Sequence, residues 1–138
     1  MSLRAIPLIV IAFIIYNVVV LLGGNVPADD ILRKPLFSIP MVSGARWVFS
    51  MGDLIILMTM LLLFVELIKS TYTATHQMVD HGLSMLVFIA CLVEFLLVRQ
   101  ATSSVFFFIM TAALVDVVAG ALIGIRTARR DLNIGGDA

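Results

Sequence analysis

Charged residues are scarce in this sequence, and neither sign is in excess. Only 13% of its 138 residues are charged, and nine basic residues balance nine acidic ones, whereas 62% are hydrophobic. Nucleic-acid-binding surfaces are strongly basic, so we expect no nucleic-acid partner. Soluble domains carry about 25% charged residues and roughly half apolar ones, and a soluble fold of this length would not hide so much apolar surface. The composition therefore favours an integral membrane protein.

Residues with a recognisable catalytic or metal-binding arrangement are also lacking. Cys91 is the only cysteine, which excludes an internal disulfide, a CxxC redox pair and a multi-cysteine metal site. The two histidines, His76 and His81, are five residues apart and so lie on different faces of a helix, unlike the i,i+4 pair of many metal sites. The sequence has no phosphate-binding loop, nucleophile elbow or zinc-protease motif. We therefore expect no enzymatic activity, no cofactor and no metal site.

Long apolar runs are what the sequence has instead. A membrane-spanning helix needs about 20 mostly apolar residues, and four segments meet this requirement, at about residues 5–23, 47–69, 82–99 and 104–126. They lack the two-residue alternation of barrel strands, and lipid offers backbone groups no partners, so we expect helices. The predicted fold is an all-α membrane protein, an antiparallel four-helix transmembrane bundle in one integral membrane domain over residues 1–138.

The first apolar run has an alternative interpretation as a cleaved signal peptide. Val26-Pro27-Ala28 places small residues where a signal peptidase cuts. However, the run is longer than a signal core and is preceded by little positive charge, so we expect it to be retained as a span.

Four spans place both chain ends on one side of the membrane. Five basic residues fall on that side and four on the other, a small excess under the positive-inside rule. The set on the side of the chain ends is Arg4, Lys69, Arg126, Arg129 and Arg130, against Arg33, Lys34, Arg46 and Arg99. The dense Arg126–Arg130 cluster leads us to expect both termini in the cytoplasm, and compactness suggests a bacterial inner membrane.

Two segments lie outside the predicted spans. The connection over residues 24–46 contains Pro35 and Pro40, which argue against a continuous helix. Its apolar residues suggest that it rests at the membrane interface or covers the end of the bundle, with Trp47 as an interfacial anchor. Residues 131–138 are expected to form a mobile tail.

Four acidic residues lie within or beside the spans. Asp53 follows Ser50 in an S-x-x-D pattern that caps a helix start, and Glu66 precedes Lys69 by three residues, which allows an ion pair. Glu94 and Asp116 lie deeper, where a charge costs about 2.5–3.5 kcal/mol. Asp116 shares one helix face with the small residues Ala112, Gly120 and Gly124, a pattern typical of close helix packing. We therefore expect Asp116 to point into protein.

Two functions remain open on this evidence. In the first, Glu94 and Asp116 are hydrogen-bonding links between helices, and the chain is a non-enzymatic accessory or structural subunit of a membrane complex or homo-oligomer, with the Ala112/Gly120/Gly124 face as its packing seam. In the second, the same two carboxylates carry protons or cations across the lipid bilayer, with Asp53 and Glu66 at the ends of the pathway, because intramembrane acids are often functional.

Overall fold

The chain is mostly helical, with one small sheet. The structure, a computed structural model, describes residues 6–72 and 77–135. In chain order the elements are α1 (Ile9–Leu22), α2 (Ala28–Leu32), β1 (Pro35–Pro40), β2 (Arg46–Ser50), α3 (Met51–Tyr72), α4 (Gln77–Leu97), a 3₁₀ turn (Arg99–Ala101) and α5 (Ser104–Gly135).

Three helices are long and apolar enough to cross a membrane. They are α3, the Met78–Leu97 part of α4 and the Ser104–Arg130 part of α5. The helix α1 is equally apolar but has 14 residues, about 21 Å of rise against a hydrocarbon core of about 30 Å. The prediction of long apolar helices is thus confirmed for three segments, which are compatible with membrane crossing. A fourth crossing by α1 stays a prediction, and residue 5, the first residue of the proposed span over 5–23, lies outside the described residues.

The all-α prediction is wrong in the connection between α1 and α3. This segment contains the short helix α2 and an antiparallel hairpin in which Phe37 pairs with Phe49 and Ile39 with Trp47. The turn carries Gly44 at φ +86°, a backbone conformation that favours glycine. Trp47 therefore lies in β2, and the second span begins at Met51 instead of residue 47. At the other end of the chain, α5 runs through residues 131–135, which were expected to belong to the tail.

The start of α3 is capped as the sequence predicts. The Asp53 N–H donates to Ser50 Oγ at 3.3 Å, and Asp53 Oδ2 accepts both the N–H and the hydroxyl of Ser50 at 2.9 Å. This reciprocal arrangement satisfies donors that the first helical turn would otherwise leave unpaired. The Met51 N–H also donates to the Lys34 carbonyl at 2.9 Å, which joins the base of the hairpin to the start of the span.

The helix α5 packs against α4, α3 and α1. Near its start, Phe106 is completely buried, with its ring centroid 5.0 Å from that of Tyr16 on α1 and 6.3 Å from that of Phe95 on α4. The short 3₁₀ connection makes α4 and α5 antiparallel neighbours. Many large apolar side chains on the outer helix faces are exposed, for example Leu61 and Leu86. Such outer faces are compatible with lipid as the surrounding solvent.

Candidate functional site

Polar side chains from three helices surround a small cavity at the end of the fold where α3 ends and α4 begins. The cavity has a volume of about 30 Å³, enough for roughly one water molecule. We call its polar lining the Asp116 cluster, which comprises Glu66, Lys69, Ser70, Asp80, His81, Ser84 and Asp116. Gly120 and Ile123 complete the wall.

Asp116 is held by a hydrogen bond from the neighbouring helix. The Ser84 hydroxyl on α4 donates to Asp116 Oδ2 at 3.0 Å, and the two residues are only 8% and 4% exposed. One turn further along α5, a Cβ added to Gly120 would lie 3.8 Å from His81 Nδ1 on α4. The face that carries Asp116 and Gly120 is therefore directed at α4 of the same chain.

Glu66 and Lys69 join the start of α1 to the end of α3. Lys69 Nζ lies 3.1 Å from Glu66 Oε2, so the predicted ion pair is confirmed. The same carboxylate oxygen accepts the Leu8 N–H at 3.0 Å, and Lys69 Nζ donates to the Ile6 carbonyl at 3.2 Å. The Leu8 N–H is one of the donors that the beginning of a helix leaves unpaired, and the Ile6 carbonyl belongs to the segment just before α1.

Two polar atoms in the same cluster are buried without a hydrogen-bond partner among the described residues. They are Asp80 Oδ1 and His81 Nδ1. Buried polar groups are usually paired, and each unpaired one costs about 1–3 kcal/mol. The cavity has a polar lining and room for one water molecule, which would give both atoms a hydrogen-bond partner.

A second polar group lies at the opposite end of the same helices. We call it the Tyr16 cluster, which comprises Tyr16, Asn17, Glu94, Gln100 and Ser103. The Tyr16 hydroxyl donates to the Gln100 carbonyl at 2.8 Å and lies 2.7 Å from Ser103 Oγ. Asn17 lies near the Glu94 carboxyl, and its Nδ2 donates to the Phe13 carbonyl of its own helix at 3.0 Å. Glu94 Oε1 and Gln100 Oε1 are buried, and the described part of the chain gives neither a partner.

The sequence-predicted acidic residues are thus divided between separate places. Asp116 and Glu66 line one cavity, Glu94 belongs to the Tyr16 cluster, and Asp53 caps α3. Asp116 is level with Ser84 on α4, and Glu94 lies ten residues further along the same helix. The Asp116 and Glu94 side chains are therefore about 15 Å apart along the helix axis. In the described part of the chain, the fully buried side chains between these levels are apolar except for Thr59, whose hydroxyl bonds the Ile55 carbonyl of its own helix.

The small-residue face of α5 is occupied within the chain. Ala112 is 7% exposed and Gly124 is partly buried, and Gly120 faces His81 on α4. At Gly120 this face is directed at α4 of the same chain. The proposed role of Ala112, Gly120 and Gly124 as a seam between proteins stays a prediction.

Sequence reasoning missed the contribution of Asp80 and His81 to this cavity. Both lie in the first turns of α4, and His81 precedes Ser84 by three residues, so the two share a helix face. That spacing was the available signal. His76 lies outside the described residues. Among residues 6–72 and 77–135 no group of three or more His, Cys, Asp or Glu side chains is arranged to hold a metal ion.

Comparisons of this chain with protein-family models, with curated proteins and with solved structures find no match. Its function must therefore be argued from its own geometry.

Proposed function

We propose that this chain is a non-enzymatic polytopic membrane protein that acts as a structural or accessory subunit of a membrane complex or homo-oligomer. In this proposal all four apolar helices cross the membrane. One observation carries it: the polar groups inside the helices are used to join helices of the same chain. Ser84 links α4 to α5, and Glu66 links α3 to α1. Tyr16 links α1 to the connection between α4 and α5.

This use of polar residues is typical of helix association in membranes. Lipid chains are as apolar as leucine, so helices associate through close packing and interhelical hydrogen bonds. The three links lie at both ends of the fold and enclose an apolar middle. Such an arrangement supports a rigid scaffold, whose outer apolar faces remain available to lipid or to neighbouring membrane helices.

The test is the assembly state of the protein in lipid nanodiscs and after extraction in mild detergent. We expect a particle larger than one chain, measured by light scattering, or a co-purifying membrane protein identified by mass spectrometry. A single chain in both nanodiscs and detergent, with no protein co-purifying from the native membrane, would overturn the proposal. The measurement should be repeated at several protein-to-lipid ratios, because crowding alone drives concentration-dependent association.

A second candidate is a small transporter or channel for protons or cations that uses Glu94 and Asp116. The observation that favours it is the set of unpaired buried atoms, Glu94 Oε1 in one cluster and His81 Nδ1 in the other. The apolar middle weighs against it, since an ion crossing between the clusters would need a rearrangement that admits water.

Flux measurements in liposomes separate the two candidates. Wild-type protein would be compared with Glu94→Gln and Asp116→Asn, and with Asp30→Asn as a matched control at an exposed position of α2. Transport predicts proton or cation flux in wild type that both span variants reduce and the control retains. Absence of flux in wild type would rule out the transport candidate. Flux that is unchanged in both Glu94→Gln and Asp116→Asn would show that these carboxylates take no part in transport.

A further inference from the structure

The β1–β2 hairpin has one face made entirely of apolar side chains. Phe37, Ile39, Trp47 and Phe49 share this face by their cross-strand pairing. The three aromatic rings contact one another: the Phe37 and Phe49 rings are stacked with centroids 4.8 Å apart, and Trp47 meets Phe49 edge to face at 5.7 Å. We call this surface the aromatic face. Phe37, Ile39 and Trp47 are each 42–49% exposed, so the helices leave the aromatic face largely uncovered.

The opposite face of the hairpin is more polar. Ser38, Pro40, Arg46 and Val48 alternate with the aromatic residues. Arg46 Nη1 donates to Ser38 Oγ across the strands at 3.3 Å. The two faces therefore differ in that only the face opposite the aromatic residues carries polar side chains, Ser38 and Arg46, beside Pro40 and Val48. A two-stranded hairpin is only marginally stable in water, so a surface that covers the aromatic face would also stabilise the hairpin.

The hairpin stands at one boundary of the membrane. The helix α3 has 22 residues, about 33 Å of rise, which matches the thickness of the hydrocarbon core. Its first residue therefore lies close to one surface of that core. The strand β2 ends at Ser50 and α3 begins at Met51, with no linker between them. The bond between Met51 N–H and Lys34 O further restrains the base of the hairpin against the end of the span.

We propose that the aromatic face is a lipid-binding surface that lies on the boundary between headgroups and acyl chains, beside the start of α3. The partner is the bilayer itself and not another protein. Continuity with α3 keeps this surface at the membrane boundary, where tryptophan and other aromatic side chains are enriched. The exposed turn residue Val42 adds apolar surface at the tip. Lys34 at the base of the hairpin is exposed and available to anionic headgroups, whereas Arg46 lies on the opposite face with Ser38.

Lipid contact would give the hairpin a mechanical role. Because β2 continues into α3 without a linker, the depth at which the aromatic face lies sets the depth and tilt of α3. Interfacial aromatic anchors act on helix tilt in this way. This role is independent of whether the chain assembles with other proteins.

The experiment uses Trp47, the only tryptophan of the chain. Full-length protein is reconstituted in phosphatidylcholine–phosphatidylglycerol vesicles with a nitroxide quencher at a shallow or a deep acyl position, and iodide serves as the aqueous quencher. Interfacial groups lie about 5–10 Å into the headgroup region, so the shallow quencher should remove roughly half of the emission. The deep quencher and iodide should have little effect.

A matched control moves the tryptophan to the other face of the same strand. In the double variant Trp47→Phe/Val48→Trp the strand keeps its aromatic content, and the probe points away from the aromatic face. We expect iodide to quench this variant and the shallow lipid quencher to lose most of its effect. Equal lipid quenching at both positions contradicts the assigned orientation.

Two outcomes in wild type overturn the proposal. Quenching of Trp47 by iodide, without quenching by lipid, means that the aromatic face lies in water. Protection from iodide and from both lipid quenchers means that protein covers it, either a second copy or a different subunit. Because wild type gives both readouts, the test does not depend on the folding of the variant.

Discussion

The Ser84 hydroxyl on α4 donates a 3.0 Å hydrogen bond to Asp116 Oδ2 on α5, and both side chains are buried. This bond places an acidic residue level with the second turn of α4 and so relates the two antiparallel helices along their length. It also makes Asp116 part of the chain's own packing. An Asp116 carboxylate that exchanges its binding partners freely would require the Ser84 hydroxyl to break this hydrogen bond.

Removing the Ser84 hydroxyl should destabilise the fold. In Ser84→Ala, Asp116 loses its partner in a buried site, and we expect the free energy of unfolding to fall by about 1–2 kcal/mol. The measurement is unfolding in mixed micelles with increasing SDS, followed by circular dichroism. Ser70→Ala is the matched control, because the Ser70 hydroxyl lines the same cavity but bonds the Glu66 carbonyl of its own helix at 2.9 Å. Ser70→Ala should therefore lower the free energy of unfolding by less than Ser84→Ala does.

A double-mutant cycle isolates the interaction. Ser84→Ala, Asp116→Ala and the double variant should give a coupling energy of about 1 kcal/mol. Coupling near zero would mean that Ser84 and Asp116 stabilise the fold separately, and the link between α4 and α5 would then have to be assigned to packing alone.

At the other end of the fold, Tyr16→Phe should weaken the attachment of α1. The substitution keeps the ring against Phe106 but removes the hydroxyl that bonds the Gln100 carbonyl and Ser103 Oγ. We expect a loss of about 1–2 kcal/mol in the free energy of unfolding, because the Tyr16 and Ser103 side chains are buried. Tyr72→Phe at the end of α3 is the control, since Tyr72 is 83% exposed. Equal effects of the two substitutions would contradict the role of the Tyr16 hydroxyl.

The length of the apolar runs in the sequence made much of this fold predictable. Three spans were located from apolar runs alone, because a membrane helix must keep about 20 residues apolar. The Ser50–Asp53 cap and the Glu66–Lys69 ion pair were also predictable, since each depends on residues three positions apart on one helix. Local spacing is sufficient for such features.

The hairpin and the cavity were not predictable in the same way. The two strands are 6 and 5 residues long. They lack a strict apolar/polar alternation, since Pro40 and Val48 lie on the face opposite the aromatic residues, and their pairing depends on contacts across the turn. The Asp116 cluster combines residues from α3, α4 and α5, so only the tertiary fold brings His81 and Asp80 to the same cavity as Glu66. Helix-end polar residues are usually solvated, and the spacing of His81 and Ser84 indicates a shared helix face without indicating that the cavity encloses them.

Glu66→Leu should release the first turn of α1. The Leu8 N–H donates to Glu66 Oε2, and hydrogen bonds to charged groups are worth about 1.5–3 kcal/mol. We therefore expect amide hydrogen exchange at the start of α1 to accelerate roughly 10-fold or more, measured by mass spectrometry in nanodiscs. Glu66→Gln keeps an oxygen acceptor at the same place and should accelerate exchange less. If both variants exchange like wild type, the Glu66 side chain does not hold α1.

The beginning of α3 contains a close approach that depends on glycine. Gly52 is buried, and a Cβ at this position would lie 3.0 Å from Val105 Cγ2 and 3.2 Å from the Leu32 carbonyl oxygen. The backbone carbonyl cannot move away without shifting α2. Gly52→Ala should therefore lower the free energy of unfolding by about 1–3 kcal/mol through overpacking, measured by the same SDS titration.

Gly120→Ala provides the comparison, because the same chemical change is made where space exists. The added Cβ would meet His81 Nδ1 at 3.8 Å, an ordinary van der Waals distance. Alanine is favoured over glycine inside a helix by about 1 kcal/mol, so this variant should be as stable as wild type or more stable. Opposite signs for the two substitutions are the expected result. A destabilised Gly120→Ala would mean that α4 and α5 approach more closely at the cavity than the structure places them, and a neutral Gly52→Ala would mean that α2 yields to the added methyl group.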